Sequence, residues 1–298
     1  MPSNAPGIHA TINTLPLGQP AQARGSDAFF ALGWAFWGAI EIATLVTSWN
    51  EFVEKFGGLH ANSELASGIY LFFKNGGQRA WICRVGHSDY AVATLTLKDL
   101  SSGSGLDTLK VDAKYPSSSV DVKVAVSALG SDNTVTLTFT SVKLNRTEKY
   151  EKFKLTFTQS ELDALAVGQS PFSTIDLINS TSKLVKLTNL NSATASPSNN
   201  PRALAATALT GGVDTLGSLV DADFERAIAA FQSEDFGAGQ VAVLGFPTTA
   251  VRSLLITHAD AFKRIALLEH SETSVSSTLT LRATLDSSYA CTGFSYKK

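Results

Sequence analysis

The sequence predicts an α/β fold, α+β overall, in which a domain with a mostly parallel sheet is interrupted by an inserted antiparallel β-rich domain. Residues 26–90 and 203–298 alternate strand-like apolar runs with amphipathic helical runs, the order that gives right-handed crossovers and a parallel sheet. Residues 91–202 instead carry short runs of period-two alternation, typical of antiparallel strands with one wet face. We therefore predict an extended N-terminal arm over 1–25, a discontinuous α/β domain over 26–90 and 203–298, and a surface-exposed β-rich insertion over 91–202.

The first α/β segment opens with two predicted strands and a capped helix. Ala28–Leu32 and Ile40–Val46 are apolar runs joined by a turn, and we expect both to be buried strands. Ser48 stands where a helix N-cap would accept a backbone hydrogen bond, and Glu51 three residues later completes the pattern of a capping box. Gly57-Gly58 then supply the left-handed turn that ends many helices.

A second helix and a third strand follow. The helix is predicted to begin near Asn62-Ser63 and to stop at Gly76-Gly77. Its apolar residues recur at helical spacing and form one stripe: Leu65, Ile69, Phe72 and Phe73. Arg79–Val85 has the composition of a buried strand, in which Cys83 is expected to pack as a small apolar side chain.

The middle region is predicted to contain a series of alternating strands. They are Thr94–Leu97, Leu109–Ala113, Val120–Val126, Thr134–Thr140 and Lys152–Phe157. A short helix at about Gln159–Leu165 and the segment Ile175–Leu190 close this region. Ala193–Pro201 is rich in Ser, Asn and Pro and is predicted to be a linker.

The last part of the chain returns to alternating helices and strands after a loop at Leu209–Asp214. Helices are predicted at Asp221–Gln232 and Thr249–Phe262, and strands at Gln240–Phe246, Arg264–Glu269 and Thr278–Leu285. Short loops separate these elements, so this part is expected to complete the parallel sheet.

The bulk composition limits the classes of function. The chain has 298 residues, a formal net charge of −2 and 17% charged residues, below the usual share of about a quarter. This balance gives no signature of nucleic-acid binding or of attraction to a membrane surface. Low charge with 44% hydrophobic residues fits a protein that buries its exterior against copies of itself, and fits a well-packed monomer almost as well. Cys83 and Cys291 lie far apart, so no disulfide framework is indicated and a reducing compartment is expected.

The apolar run Ala28–Val46 has the length of a membrane span and contains only one charged residue, Glu41. A charge within a span costs about 2.5–3.5 kcal/mol, and Gly33 and Gly38 interrupt the run. Two buried strands explain it better, so no membrane insertion is predicted. The N-terminus also lacks a basic region followed by an apolar run, so no secretory signal is visible.

The sequence carries no recognisable catalytic, cofactor or metal motif. The histidines are scattered and match no metal-ligand spacing: His9, His60, His87, His258 and His270. The glycine pairs lack the lysine and hydroxyl residue of a phosphate-binding loop, and Ser180-Thr-Ser-Lys183 lacks the partner motifs of Ser-x-x-Lys enzymes. We therefore predict a protein that is not an enzyme and that uses neither a cofactor nor a metal.

A set of short motifs, spread in order over almost the whole chain, gives a positive indication. They are Pro6-Gly7-Ile8, Thr47-Ser48-Trp49 with Phe56-Gly57-Gly58, Phe72-Phe73 with Asn75-Gly76-Gly77 and the strand end Arg84-Val85, Ile178-Asn179 with Ser182 and Leu184-Val185, Leu209–Asp214, His258-Ala259 with Arg264, and Leu285-Asp-Ser-Ser-Tyr289. In this order and spacing they resemble the contractile tail sheath proteins of bacteriophages and related injection particles.

The resemblance implies a mechanical function. Such subunits polymerise helically around an inner tube, and the sheath contracts to drive that tube through a membrane. The implied partners are neighbouring sheath subunits and the inner tail tube protein, with no nucleic acid and no direct membrane insertion. The implied location is the virion tail, assembled in the bacterial host cytoplasm. Extended arms of one subunit complete sheets of its neighbours, and the residues expected to do so here are Gly7, Ile8, His9, Ala10, Thr11 and Ile12.

Two departures from the family pattern bear on these expectations. The usual Gly-Pro turn after the first strand is replaced by Trp37-Gly38-Ala39. Family members also continue beyond the Ser-x-Tyr strand into a C-terminal domain, whereas this sequence stops at Lys298. We expect either a truncated form, which would be monomeric and unable to build a sheath, or an unusually short member. A phage tail and a tailocin or other injection particle are equally compatible with the sequence.

Two alternatives from other classes stay open at this stage. The β-rich, Ser/Thr-rich region would suit an exported or cell-surface binding module, although no export signal is visible. A cryptic hydrolase would need a pocket with converging titratable groups at the carboxyl ends of the parallel strands. A pocket at that edge of the sheet would support the hydrolase, and a flat or convex edge would weaken it.

Overall fold

The computed structural model describes residues 28–168, 171–214, 216–271 and 274–292. Its strands are β1 (Ala28–Gly33), β2 (Thr44–Val46), β3 (Arg79–Arg84), β4 (Thr94–Lys98), β5 (Asp107–Ala113), β6 (Lys123–Val126), β7 (Val135–Ser141), β8 (Arg146–Phe153), β9 (Val185–Asn189), β10 (Leu204–Ala208), β11 (Gln240–Leu244), β12 (Ile265–Leu268) and β13 (Ala290–Thr292). Its α-helices are α1 (Trp49–Phe56), α2 (Glu64–Lys74), α3 (Gln159–Ala166), α4 (Ile175–Thr181), α5 (Asp221–Ile228), α6 (Thr249–Phe262) and α7 (Val275–Ala283).

The largest sheet has six strands in the order β13-β12-β11-β1-β3-β2. Every neighbouring pair is parallel except β2 with β3. β1 lies inside the sheet and all its residues are buried, because helices cover both faces. The predicted mostly parallel sheet is confirmed, and with it the α/β fold class.

Two pairs of helices cover the two faces of this sheet. Phe52 of α1 and Leu65 of α2 belong to one apolar cluster with Ile82 of β3. Phe224 of α5 and Leu255 of α6 belong to a second cluster on the opposite face. The sheet is thus the middle layer of three.

The predicted helix caps are present, with one difference in detail. Ser48 Oγ accepts a hydrogen bond from the Glu51 N–H at 3.2 Å, and Gly57 ends α1 in the left-handed conformation. The Glu51 carboxylate accepts from the N–H of Thr47 at 2.8 Å, so the predicted capping box forms in one direction only. Ser63 caps α2 as its position predicts.

The β-rich region consists of two antiparallel sheets, β4-β5-β9 and β10-β6-β7-β8, that share one apolar core. Side chains along β7 alternate between buried and half-buried, as period-two alternation predicts. Val111 of β5, Val124 of β6 and Phe139 of β7 all contribute to the common core. β10 lies just after the predicted boundary at residue 202 and pairs with β6. The division of the chain into an arm, a discontinuous domain and an insertion stays a prediction.

Three predicted strands begin well away from the predicted residue, of which β6 begins at Lys123 rather than at Val120. β2 begins at Thr44 rather than at Ile40, because Glu41 has a left-handed backbone (φ 56) and Ile40 makes only a single bridge. β8 spans Arg146–Phe153 rather than Lys152–Phe157. Its residues are mostly charged, so the strand carries little of the apolar alternation on which the prediction depends.

The predicted strand Thr278–Leu285 is wrong, since Val275–Ala283 forms the helix α7. The alternation of threonine and leucine there resembles that of a strand, but Ser274 caps the segment as a helix by accepting from the N–H of Ser277 at 3.1 Å.

The predicted linker Ala193–Pro201 is packed at its end. Asn200 within it is buried and accepts a hydrogen bond from the N–H of Leu155 at 3.0 Å.

Candidate functional site

The carboxyl edge of the parallel sheet, where an α/β enzyme usually binds its ligand, is filled at the centre of this sheet. The chain leaves β1 through Trp34, Phe36 and Trp37, whose buried side chains belong to the core of the β-rich region. At Gly33 itself an added Cβ would lie 2.9 Å from Leu65 Cβ, so α2 closes the space behind the strand. This packing removes the pocket that the hydrolase alternative requires at this position.

A buried arginine fixes the junction between the parallel sheet and the β-rich region. Arg84, at the end of β3, is fully buried and donates to the carbonyls of Gly38 at 2.7 Å and Pro116 at 2.9 Å. Burial lowers the pKa of this guanidinium to about 10, against an opposing effect of the nearby Asp214 carboxylate. Arg84 therefore ties the turn after β1 to the loop between β5 and β6 of the β-rich region.

The described residues contain one cluster of titratable groups near this edge. His87 Nδ1 lies 3.0 Å from Asp223 Oδ2, and Arg226 Nη2 lies 2.9 Å from Asp223 Oδ1 and 3.1 Å from Glu41 Oε1. Burial of Asp223 would raise its pKa, but hydrogen bonds from the Val220 N–H, His87 and Arg226 outweigh this and hold the pKa below its ordinary value. Asp223 lies in the first turn of α5, so the cluster attaches that helix to the segment after β3.

His258 and Arg264, which belong to one of the sheath-like motifs, lie next to each other in the structure. Arg264 Nη1 lies 2.7 Å from His258 Nε2, and both side chains are buried. Arg264 also donates to the carbonyls of Phe231 and Gly237 and stacks over Phe30, its Cζ 3.9 Å from the ring centre. Through these hydrogen bonds Arg264 fixes both ends of the 231–237 loop.

A cleft of about 570 Å³ lies between α6 and α7. Its walls are hydroxyl and leucine side chains with one cation, Arg252, which already donates to the Pro247 carbonyl at 2.7 Å. Nowhere in the described ranges do three His, Cys, Asp or Glu side chains group so that they could hold a metal ion. No helix among the described residues combines the length and apolar character that a membrane span needs.

The residues predicted to exchange strands between subunits, Gly7, Ile8, His9, Ala10, Thr11 and Ile12, lie outside the described residues. Sequence reasoning missed the structural importance of Arg84, Asp99 and Arg264, all fully buried. Two of these, Arg84 and Arg264, stand at the ends of sheath-like motifs, which was the available signal. No motif marks Asp99, and two of the hydroxyls that donate to its carboxylate, those of Ser192 and Thr194, come from a loop far away in the sequence.

Two sheath tail proteins of known structure are similar to this chain in fold. One, from Listeria innocua, matches with a TM-score of 0.52 and 18% identity over 80% of this chain and 47% of its own. Another, from Desulfitobacterium hafniense, matches with a TM-score of 0.52 and 14% identity over 89% of this chain and 53% of its own. The chain therefore spans about half the length of these two proteins. No family model and no curated protein sequence matches it. Over this span the fold is similar to that of these two sheath tail proteins.

Proposed function

We propose that this chain is a structural subunit of a contractile tail sheath, which polymerises helically around an inner tube and contracts to drive the tube through a membrane. The observation that carries the proposal is the likeness in fold to two sheath tail proteins over most of the chain. The order of sheath-like motifs along the sequence supports it independently. The packed centre of the carboxyl edge of the sheet disfavours the rival proposal of a hydrolase.

The proposed partners are other copies of the subunit and the inner tail tube protein, with no nucleic acid and no direct insertion into a membrane. The proposed place of action is the virion tail, after assembly in the cytoplasm of the bacterial host. A net charge of −2 supports a partner that is neither nucleic acid nor a lipid surface. In this assembly the β-rich region 91–202 would face outwards, where additions to the surface are tolerated.

The proposed link between subunits is the arm 1–25, with Gly7, Ile8, His9, Ala10, Thr11 and Ile12 pairing with a sheet of a neighbouring copy. Main-chain hydrogen bonds give such an interface strength, while the rest of the arm lets subunits rotate relative to one another. Contraction then requires no bond to break between subunits, since the paired strand travels with its neighbour.

Sedimentation of the complete protein and of a variant lacking residues 1–20 tests the arm. The complete protein should sediment as large assemblies, and the deletion should leave a folded monomer with an unchanged circular dichroism spectrum. Assemblies of normal size and stability from the deletion variant would refute the role of the arm. A complete protein that stays monomeric at high concentration would refute the sheath proposal itself.

A further inference from the structure

Two edge strands, β9 and β2, each have main-chain groups at the outer edge that are hydrogen-bonded by side chains of an adjacent helix. The helix is α4 at β9 and α1 at β2. β9 forms one edge of the three-stranded sheet, and β2 forms one edge of the six-stranded sheet. An edge strand presents unpaired N–H and C=O groups, to which another extended chain can add. The partners of these groups therefore decide whether the sheet can be extended.

On β9, a single amide side chain bonds both main-chain groups of the central residue. The N–H of Leu187 donates to Asn179 Oδ1 at 2.7 Å, and the C=O of Leu187 accepts from Asn179 Nδ2 at 3.0 Å. Leu187 and Val111 of β5 form a non-hydrogen-bonded pair of the antiparallel ladder. The N–H and C=O of Leu187 therefore point away from β5. The N–H of Val185 on the same edge donates to Ser182 Oγ at 3.0 Å. Asn179 thus makes the pair of bonds that a residue of an added strand would make.

The amide side chain of asparagine matches the two main-chain groups that it bonds. Only an uncharged amide offers one donor and one acceptor side by side, whereas a carboxylate offers acceptors alone and an aliphatic side chain offers neither. Asn179 is held in place from α4, where its own C=O accepts a hydrogen bond from Lys114 Nζ at 3.2 Å. The two hydrogen bonds to Leu187 explain the presence of Asn179 in the Ile178-Asn179 motif.

At β2, two charged side chains of α1 bond main-chain groups in the same way. The C=O of Leu45 accepts from Lys55 Nζ at 2.8 Å, and the N–H of Thr47, the residue after β2, donates to Glu51 Oε2 at 2.8 Å. Glu51 and Lys55 are themselves ion-paired at 2.6 Å, which fixes both over the strand. At the opposite edge of the same sheet, no side chain of the described residues is hydrogen-bonded to the main chain of β13.

We propose that Asn179 and the Glu51–Lys55 pair are edge guards, which keep β9 and β2 from pairing with a strand of a second copy of this chain. The guards occupy the hydrogen-bonding positions that an added strand needs, so pairing at these edges first requires a guard to leave. The proposal does not depend on the sheath function. It assigns a specificity role to three side chains that determine which edges stay closed.

The replacement Asn179→Leu tests the β9 guard, because leucine has a similar shape and no hydrogen-bonding group. Hydrogen exchange of the Leu187 amide should become about tenfold faster, the factor expected for loss of one ordinary hydrogen bond. In a Cys291→Ser background, Thr188→Cys on exposed β9 reports pairing of two copies as a disulfide-linked dimer. The dimer should form with Asn179→Leu and not with Asn179 in place.

Two variants control the β9 experiment. Ser180→Ala removes a hydroxyl that bonds only within α4, to the Leu177 carbonyl at 2.9 Å, and should change neither readout. Asn179→Asp keeps an acceptor for the Leu187 N–H and loses the donor, so amide exchange should stay closer to wild type than in Asn179→Leu.

The β2 edge provides an independent test in case Asn179→Leu does not fold. Glu51→Gln combined with Lys55→Met should speed exchange of the Thr47 amide and allow cross-linking of copies through β2. A folded variant whose edge amide is unchanged would overturn the proposal at that edge. Faster exchange without any cross-linked dimer would overturn it as well, because an open edge would then have no tendency to pair.

Discussion

His258 should make the fold sensitive to acid, and replacing it with glutamine should remove that sensitivity. The side chain is 4% exposed, and its Nε2 lies 2.7 Å from Arg264 Nη1. Because a guanidinium can only donate, Nε2 must accept and the ring proton resides on Nδ1. Protonation of Nε2 would break this bond and place two cations side by side in a buried site. Burial, and to a lesser extent the charge of Arg264, lowers the pKa of His258 to about 4.

The sign and size of the effect follow from the two pKa values. In the unfolded chain His258 titrates near its ordinary pKa of about 6.5. Between that pH and about 4 the unfolded state binds a proton that the folded state does not, so the free energy of unfolding falls as the pH falls. The loss amounts to about 3 kcal/mol over the window, with a slope of about 1.2 kcal/mol per pH unit in its middle.

Urea unfolding between pH 4.5 and 7.5 measures this contribution as a difference between variants. His258→Gln keeps an acceptor for Arg264 and removes the titration, so its unfolding free energy should lose that part of the pH slope. Thr257→Ala, on the exposed side of the same helix, keeps His258 and should follow the wild-type slope. An identical slope for wild type and His258→Gln would refute the reasoning, because the acid sensitivity would then come from other groups.

Three further substitutions test the packing by the same unfolding measurement. Gly57→Ala should destabilise by at least about 2 kcal/mol more than Gly76→Ala, because both have positive φ but only at Gly57 would the Cβ meet a side chain, Phe36 at 2.5 Å. Equal losses would contradict this. Asp99→Asn should cost about 2 kcal/mol, because a buried carboxylate that accepts from three hydroxyls and two backbone N–H groups is lost. Arg84→Met should cost a similar amount by leaving two carbonyls unsatisfied, and an unchanged stability would exclude its role at the junction.

Elements whose signals are local could be predicted from the sequence. The helix α6 has the predicted bounds, Thr249–Phe262, because Thr248 caps its start through its side chain and Lys263 ends it in the left-handed conformation. The helix α1 was predicted for the same reason, from Ser48 and Gly57. In these cases neighbouring residues in the sequence supply the hydrogen bonds that fix each end.

Features that depend on distant partners could not be predicted. Arg84 is buried by carbonyls of two loops far away in the sequence, at Gly38 and Pro116. In the sequence Asn179 is only one residue of a motif, and its two hydrogen bonds to Leu187 of β9 are visible only in the structure. Contacts between separate elements of the fold, rather than composition, determine the roles of Arg84 and Asn179.

Negative-stain electron microscopy of the untagged product of the natural, uninterrupted gene, at high concentration and moderate salt, tests the sheath proposal most directly. The proposal predicts hollow helical tubes. Uniform small particles under these conditions would contradict it and favour the alternative of a β-rich binding module.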